Sequence, residues 1–402
     1  MIQRREFVLA MAALASGGAR ASAAPARKGL AAIAPTMQAF VDAGTIAGAV
    51  TLVQHEGKLV HLAATGWRDI EQRAPMSTDT VFQVMSQSKP FIATSVGLLL
   101  DEGKLKIDDP VDAFLPEFGD QWLLVRGDPN ERVLARPSRK ITIGDVLSHS
   151  SGLPDAAPVT HPFAVKMRYS LAEVVAVLSQ QPLEAEPGAR WRYSNQGIAV
   201  AARIVEVVAG RPYENFVEQR IFAPLGMKAS CYRPAAEVWP KIAADYELRE
   251  GRLREMENGS PGYGALKLRQ GTRYPLPEAG IFSTAEDMAR FHQMFLDGGR
   301  TKGERLLSPQ AVATLLMPRI AIPPERGMSG SAQALGWRIQ TAAGNGLAAG
   351  TIHHSGAFGS FGWADPQRHI VGVMLVQRPG AVDERKAMTK LVAAAYEKGE
   401  IA

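Results

Sequence analysis

Apolar residues recur at helical spacing from Gly29 to Ala43, which predicts an amphipathic helix near the start of the chain. Two β-rich runs follow, Gly48 to Gln54 and Lys58 to Ala64, and the His55-Glu56-Gly57 between them reads as the turn of a hairpin. From about Ser86 to Glu250 the pattern becomes mainly helical. Within it, Ser170 and Glu173 form a capping box ahead of an apolar-periodic run. Gly197 to Ala209 is a helix of small residues ended by Gly210, and Pro212 to Phe222 is a further amphipathic stretch. Ser283 and Glu286 make a second capping box, opening a helix that runs to about Leu296 and stops at Gly298-Gly299. Strands return at Leu335 to Gln340, Gly350 to His354 and His369 to Val376, before a last helix from about Asp383 to Glu397.

Helix, two strands, a helical block, three strands and a helix predict an α+β fold. The simplest packing is one largely antiparallel sheet made from the strands of both chain ends and flanked by the terminal helices, with a large, mainly helical insertion at about residues 100–260. The stretches Asp120 to Arg139 and Glu250 to Pro277 are expected to be exposed and irregular.

Composition narrows the function. With 402 residues, 46% hydrophobic and 21% charged, the chain is neither disordered nor fibrous. The single cysteine, Cys231, excludes an internal disulfide and any Cys-based zinc or iron–sulfur site, and is expected to be a small buried residue. A net charge of +5, part of it from Arg4, Arg5 and Arg20, is too weak to argue for a nucleic-acid partner. The arginine pair is followed by an apolar run from Phe7 to about Ala15 and by Ala21-Ser22-Ala23, a small-residue cleavage site. Residues 1–23 therefore read as a signal peptide, twin-arginine-like, with a general secretory signal as the alternative. The product, residues 24–402, is expected to be periplasmic or secreted, with no stable membrane span.

Three stretches could carry chemistry. Ser86 and Lys89 lie three apart where an extended run becomes a helix, so they share a face, and a shielded lysine can help take the serine proton. Tyr193-Ser194-Asn195 precedes the small-residue helix; a tyrosine beside an ammonium ionises more readily, and an amide can hold a lysine and a substrate carbonyl. Its rival, Tyr213-Glu214-Asn215, sits inside a helix that reads as structural. His354-Ser355-Gly356-Ala357 leaves a strand, where a glycine permits close approach and backbone N–H groups can meet an oxyanion. By itself His354 reads as a polar strand residue. There is no H-E-x-x-H, G-x-S-x-G, dinucleotide fingerprint or P-loop.

Together, S-x-x-K, Y-x-N and H-x-G in this order resemble the serine β-lactamase and penicillin-binding protein superfamily. The likeness extends to Ile141 through Pro154, Pro187-Gly188, Pro224-Leu225-Gly226-Met227, Ala279 through Asp287 and Trp363-Ala364-Asp365, over roughly residues 30–395. It is nearest to class C β-lactamases and their esterase and peptidase relatives. The resemblance implies a β-lactamase/transpeptidase-like fold with Ser86 as acylated nucleophile, Lys89 tuning it and Tyr193 as general base. It further implies that Asn195 orients Lys89 and substrate, and that the N–H groups of Ser86 and Ala357 form an oxyanion hole. His354, Ser355 and Gly356 would line the substrate, and His149 would be a structural turn residue. No metal or cofactor is implied. The third-motif position is usually a lysine in true β-lactamases, and a histidine is largely neutral at pH 7. The implied activity is thus an exported serine hydrolase acting on small-molecule ester, amide or peptide carbonyls, carboxylesterase-like first. The alternatives are a D-peptide hydrolase (DD-carboxypeptidase or aminopeptidase-like), a β-lactamase, or a non-catalytic penicillin-binding sensor.

Overall fold

The structure, a computed structural model, describes residues 28–401 except 128–130, 156–167, 257–271 and 325–329. The expected signal peptide lies outside the described residues. Helix α1 (Ile33–Asp42) leads into strands β1 (Gly48–His55) and β2 (Lys58–Asp69), joined at Glu56 and Gly57 as the hairpin pattern predicts. The short β3 (Ala74–Pro75) and β4 (Phe82–Gln83) precede α2 (Lys89–Asp101). Next come the hairpin β5 (Leu123–Gly127) and β6 (Arg132–Ala135), then α3 (Ile143–Leu147), α4 (Leu171–Ser179), α5 (Asn195–Ala209), α6 (Tyr213–Val217) and α7 (Ala223–Leu225). A second hairpin, β7 (Tyr246–Arg249) and β8 (Arg252–Glu255), is followed by β9 (Phe282–Ser283), α8 (Ala285–Leu296) and α9 (Pro309–Leu316). The chain ends with β10 (Ile320–Ala321), β11 (Ser331–Gln333), β12 (Arg338–Gln340), β13 (Ile352–Ser355), β14 (Phe361–Asp365), β15 (Ile370–Leu375) and α10 (Val382–Glu397).

Both chain ends share one nine-stranded sheet of order β10-β11-β12-β13-β14-β15-β1-β2-β3. Every pairing in it is antiparallel, with Val50 opposite Leu375 where the two ends meet. Side chains alternate across a strand, so one run of residues feeds two cores. Val50, Leu52, Val371, Val373 and Leu375 pack toward the helical block. Ala49, Val53, Ile370 and Met374 pack toward α1 and α10, with Ile33, Met37, Met388 and Val392. The α+β arrangement read from the sequence is the one observed.

Inside the helical layer α2 is buried on all sides, from Lys89 through Leu99. A helix that is apolar all round belongs in a core, and this one carries the candidate lysine into it. Helix α4 begins with the predicted Ser170–Glu173 box, and α5 ends at Gly210, whose φ of 62° suits the residue that needs no Cβ.

Several details differ from the sequence reading. The cap of α8 is Thr284, whose hydroxyl accepts from the Asp287 N–H, rather than Ser283 with Glu286. Ser283 is instead hydrogen-bonded to Ser230. The carboxy-terminal part holds six strands in place of three, because β10, β11 and β14 join the sheet. The stretches expected to be irregular contain the β5–β6 hairpin and strand β8, the second arm of the β7–β8 hairpin. Pro212 to Phe222 divides into α6 and a π turn over Glu218–Phe222. Cys231, expected to be buried, is half-buried.

Candidate active site

Ser86 and Lys89 meet because a short 3-10 turn, Met85–Ser88, leads into α2. Lys89 is fully buried, and its ammonium donates to Ser86 Oγ at 3.0 Å and to the Glu278 carbonyl at 3.0 Å. Tyr193 comes from the loop before α5, and its hydroxyl donates to the same Ser86 Oγ at 2.9 Å. Lys89 Nζ lies 4.9 Å from the centre of the Tyr193 ring. One hydroxyl oxygen thus receives two donors from distant segments, and Ser86 and Tyr193 are both partly open to solvent. Backbone strain gathers here. Met85 and His149 have φ of 54° and 58°, a left-handed conformation that costs a non-glycine residue roughly 1–3 kcal/mol and is found disproportionately at functional sites.

The third stretch reaches the Ser86 turn through Gly356. A Cβ at that position would lie 2.4 Å from the Val84 carbonyl and 3.1 Å from Met85 Cβ. Only glycine lets the turn after β13 sit against the turn that carries Ser86, and the Ser360 hydroxyl fastens the two by donating to the Val84 carbonyl at 2.9 Å. The Ser86 amide lies ahead of the first bonded N–H of its turn, Gln87 to the Val84 carbonyl, and Ala357 stands exposed on the neighbouring turn. His354 is buried, and its Nδ1 donates to the Ser355 carbonyl at 2.9 Å. Burial, reinforced by Arg338 and Lys89 nearby, holds its pKa well below the usual 6.5 and keeps it neutral.

Two expectations change. Asn195 heads α5, but its backbone N–H and its side-chain amide both donate to Asp155 Oδ1, at 2.8 and 3.1 Å. The second bond of Lys89 goes to the Glu278 carbonyl, so that carbonyl orients the lysine. The reading of the third motif as lacking a fixed cation is also incomplete. Arg338, on β12, donates to Ser355 Oγ at 3.1 Å, and its guanidinium carbon lies 5.9 Å from the Tyr193 ring centre. It is buried, its Nε has no partner, and it takes part in no ion pair among the described residues. Burial pulls its pKa down from the ordinary arginine value, while Tyr193 opposes the shift. Sequence reading passes over Arg338, which lies between Trp337 and Ile339 in the strand predicted from Leu335 to Gln340.

The rivals resolve as structural. Tyr213 is buried and accepts from the Tyr232 hydroxyl at 3.1 Å, and His55-Glu56-Gly57 is the hairpin turn. A cavity of about 410 Å³ lies between the β5–β6 hairpin and Pro154, and none of Ser86, Lys89, Tyr193 or Arg338 lines it. Among the described residues, no group of three His, Cys, Asp or Glu could hold a metal ion, and no helix is long and apolar enough to cross a membrane.

Comparison with known proteins bears on this arrangement. The Beta-lactamase family model matches residues 33–397. Protein Rv1367c of Mycobacterium tuberculosis is 30% identical over 362 residues, covering 84% of this chain and 87% of that protein. An N-acetylmuramyl-L-alanine amidase of Bacillus subtilis is 29% identical over 337 residues, covering 79% and 72%. Among solved structures, EstCE1, described as a hydrolase with promiscuous acyltransferase activity, superposes with a TM-score of 0.75 at 25% identity, covering 91% of this chain and 98% of that one.

Proposed function

We propose that this chain, which belongs to the Beta-lactamase family of serine hydrolases, is an exported, carboxylesterase-like enzyme working through an acyl-enzyme on Ser86. The observation that carries the reading is the double hydrogen bond to Ser86 Oγ from Lys89 and Tyr193. In the reaction Tyr193 gives up its own proton to solvent, and its oxygen takes the serine proton as Oγ bonds to the substrate carbonyl carbon. The negative charge that develops on the carbonyl oxygen falls to the N–H groups of Ser86 and Ala357. The leaving oxygen or nitrogen departs with the proton from Tyr193, and the acyl group stays on Ser86. Water then adds and gives a proton to Tyr193, and as the bond to Ser86 Oγ breaks and the acid leaves, Tyr193 hands that proton to Oγ. An alcohol or amine in place of water gives acyl transfer by the same steps. Export rests on the Arg4-Arg5 and Ala21-Ser22-Ala23 signals.

Arg338 favours a second reading, hydrolysis of D-peptides or other carboxylate-bearing substrates. A buried guanidinium beside Ser355 and Tyr193, without an acidic partner among the described residues, is suited to a substrate carboxylate, a role that neutral His354 does not fill. Ser86→Ala tests the shared core of both readings. Turnover of p-nitrophenyl butyrate is expected to fall about a thousandfold or more, with loss of the fluorophosphonate adduct in intact-mass measurement. Equal turnover by the wild type and the variant would overturn the acyl-enzyme.

A further inference from the structure

Tyr193 sits in a loop, and a loop tyrosine needs something to hold its oxygen within reach of Ser86. The holder is His149, in the turn after α3. Its backbone carbonyl accepts from the Arg192 N–H at 2.7 Å, and its ring Nδ1 accepts from the Ser194 N–H at 3.2 Å. These two bonds clamp the amides on either side of Tyr193. The two rings also pack on each other, with centroids 4.5 Å apart and planes at 34°, and Trp191 meets the same imidazole edge-on at 6.3 Å. His149 therefore touches Trp191, Arg192, Tyr193 and Ser194 in succession, from a backbone at φ 58°.

We propose that His149 is a positioning residue for the reaction: an imidazole fixed in its Nε2–H form whose Nδ1 lone pair and ring face hold Tyr193 against Ser86. The inference rests on the acyl-enzyme reading above and adds the group that aims its base. A backbone N–H can only donate, so Nδ1 must be bare, and the ring proton must lie on Nε2. A second proton on the ring would face the Ser194 N–H and open the clamp. The surroundings oppose that protonation: Lys89 from α2 and Arg338 from β12 bear positive charge toward the imidazole, Tyr193 covers its face, and neutral His354 from β13 lies nearby. His149 is also buried, with Nε2 lacking any partner among the described residues.

Two variants separate the acceptor from the ring. Asparagine tolerates left-handed backbone and offers an acceptor at the same distance from the main chain. His149→Asn is therefore expected to keep kcat on p-nitrophenyl butyrate within about fivefold. His149→Phe keeps the ring and lacks the acceptor. Its kcat is expected to fall about thirtyfold or more with KM within threefold, and the acidic limb of its kcat/KM profile to move. A merely structural histidine would lower the melting temperature and leave kcat per folded molecule and the pH profile as they were. That result, or equal losses in the two variants, overturns the proposal. Should His149→Phe fail to fold, ¹⁵N-histidine spectra of the wild type decide, with the His149 signal identified by its loss in His149→Asn. The Nε2–H pattern must persist from pH 8 down to the lowest pH at which the protein stays folded, and an Nδ1–H pattern or a titrating signal overturns the assignment. Failure of the underlying reading is separable, because it would appear as full turnover by Ser86→Ala whatever the His149 variants did.

Discussion

The site has two walls of different character. The helical wall, with Ser86, Lys89, Tyr193 and the Glu278 carbonyl, closes on itself: Ser86 Oγ has two donors, and Lys89 binds both Oγ and the carbonyl. The strand wall, β12 and β13, leaves capacity unused. Arg338 Nε and His354 Nε2 are buried without a partner among the described residues, although an unsatisfied buried polar group costs about 1–3 kcal/mol. The difference divides the labour. In the proposed reaction, groups that bond to each other carry out the chemistry and groups left unbonded read the substrate.

That division can be broken in order of expected effect. Tyr193→Phe removes a member of the closed wall, and kcat on a neutral ester should fall about 10²–10⁴-fold; steady-state kinetics showing full activity would take the base role from Tyr193. Arg338→Met touches only the reading wall. It should cost about 10–100-fold in kcat/KM on a carboxylate-bearing D-peptide, the size of a lost charge-assisted hydrogen bond, and little on p-nitrophenyl butyrate. Equal losses on both substrates would erase the distinction between the walls.

A separate effect concerns stability. Burial lowers His61 and His292 to a pKa of about 4 and His353 to about 3, and holds His149 and His354 well below 6.5. Each pKa is lower folded than unfolded. Below about pH 6.5 the unfolded chain therefore binds protons that the folded one refuses. The stability these neutral rings contribute is complete above that pH and drains away as the pH falls toward about 4. Urea unfolding should therefore give a lower stability at pH 5 than at pH 7. Equal values would mean that the histidines are not held neutral.

Legibility in the sequence followed distance along the chain. Ser86 and Lys89 could be paired from spacing because three residues on a helix fix their separation. Ser170 and Glu173 were readable as a cap for the same reason. At α8 two overlapping caps fit the pattern, and the choice fell to Thr284 because Ser230, more than fifty residues away, bonds to both the Ser283 hydroxyl and the Asp287 carboxylate. Asn195 was found, but its partner Asp155 was not. Arg338 stood in a predicted strand with no local hint of which face it would take.

What the sequence by itself determined were the elements whose causes lie within a few residues: the hairpin, the terminal helices, the caps, and the serine with its lysine. It also carried the family likeness through motifs in their order. Tertiary structure alone decided that Glu278 offers a carbonyl to Lys89, that His149 grips both sides of Tyr193, and that the strand-side cation near Tyr193 is Arg338 and not residue 354. The Lys89–Glu278 and His149–Ser194 bonds join residues 189 and 45 apart. No local periodicity encodes them, because they exist only once the sheet and the helical layer have packed and excluded water between them.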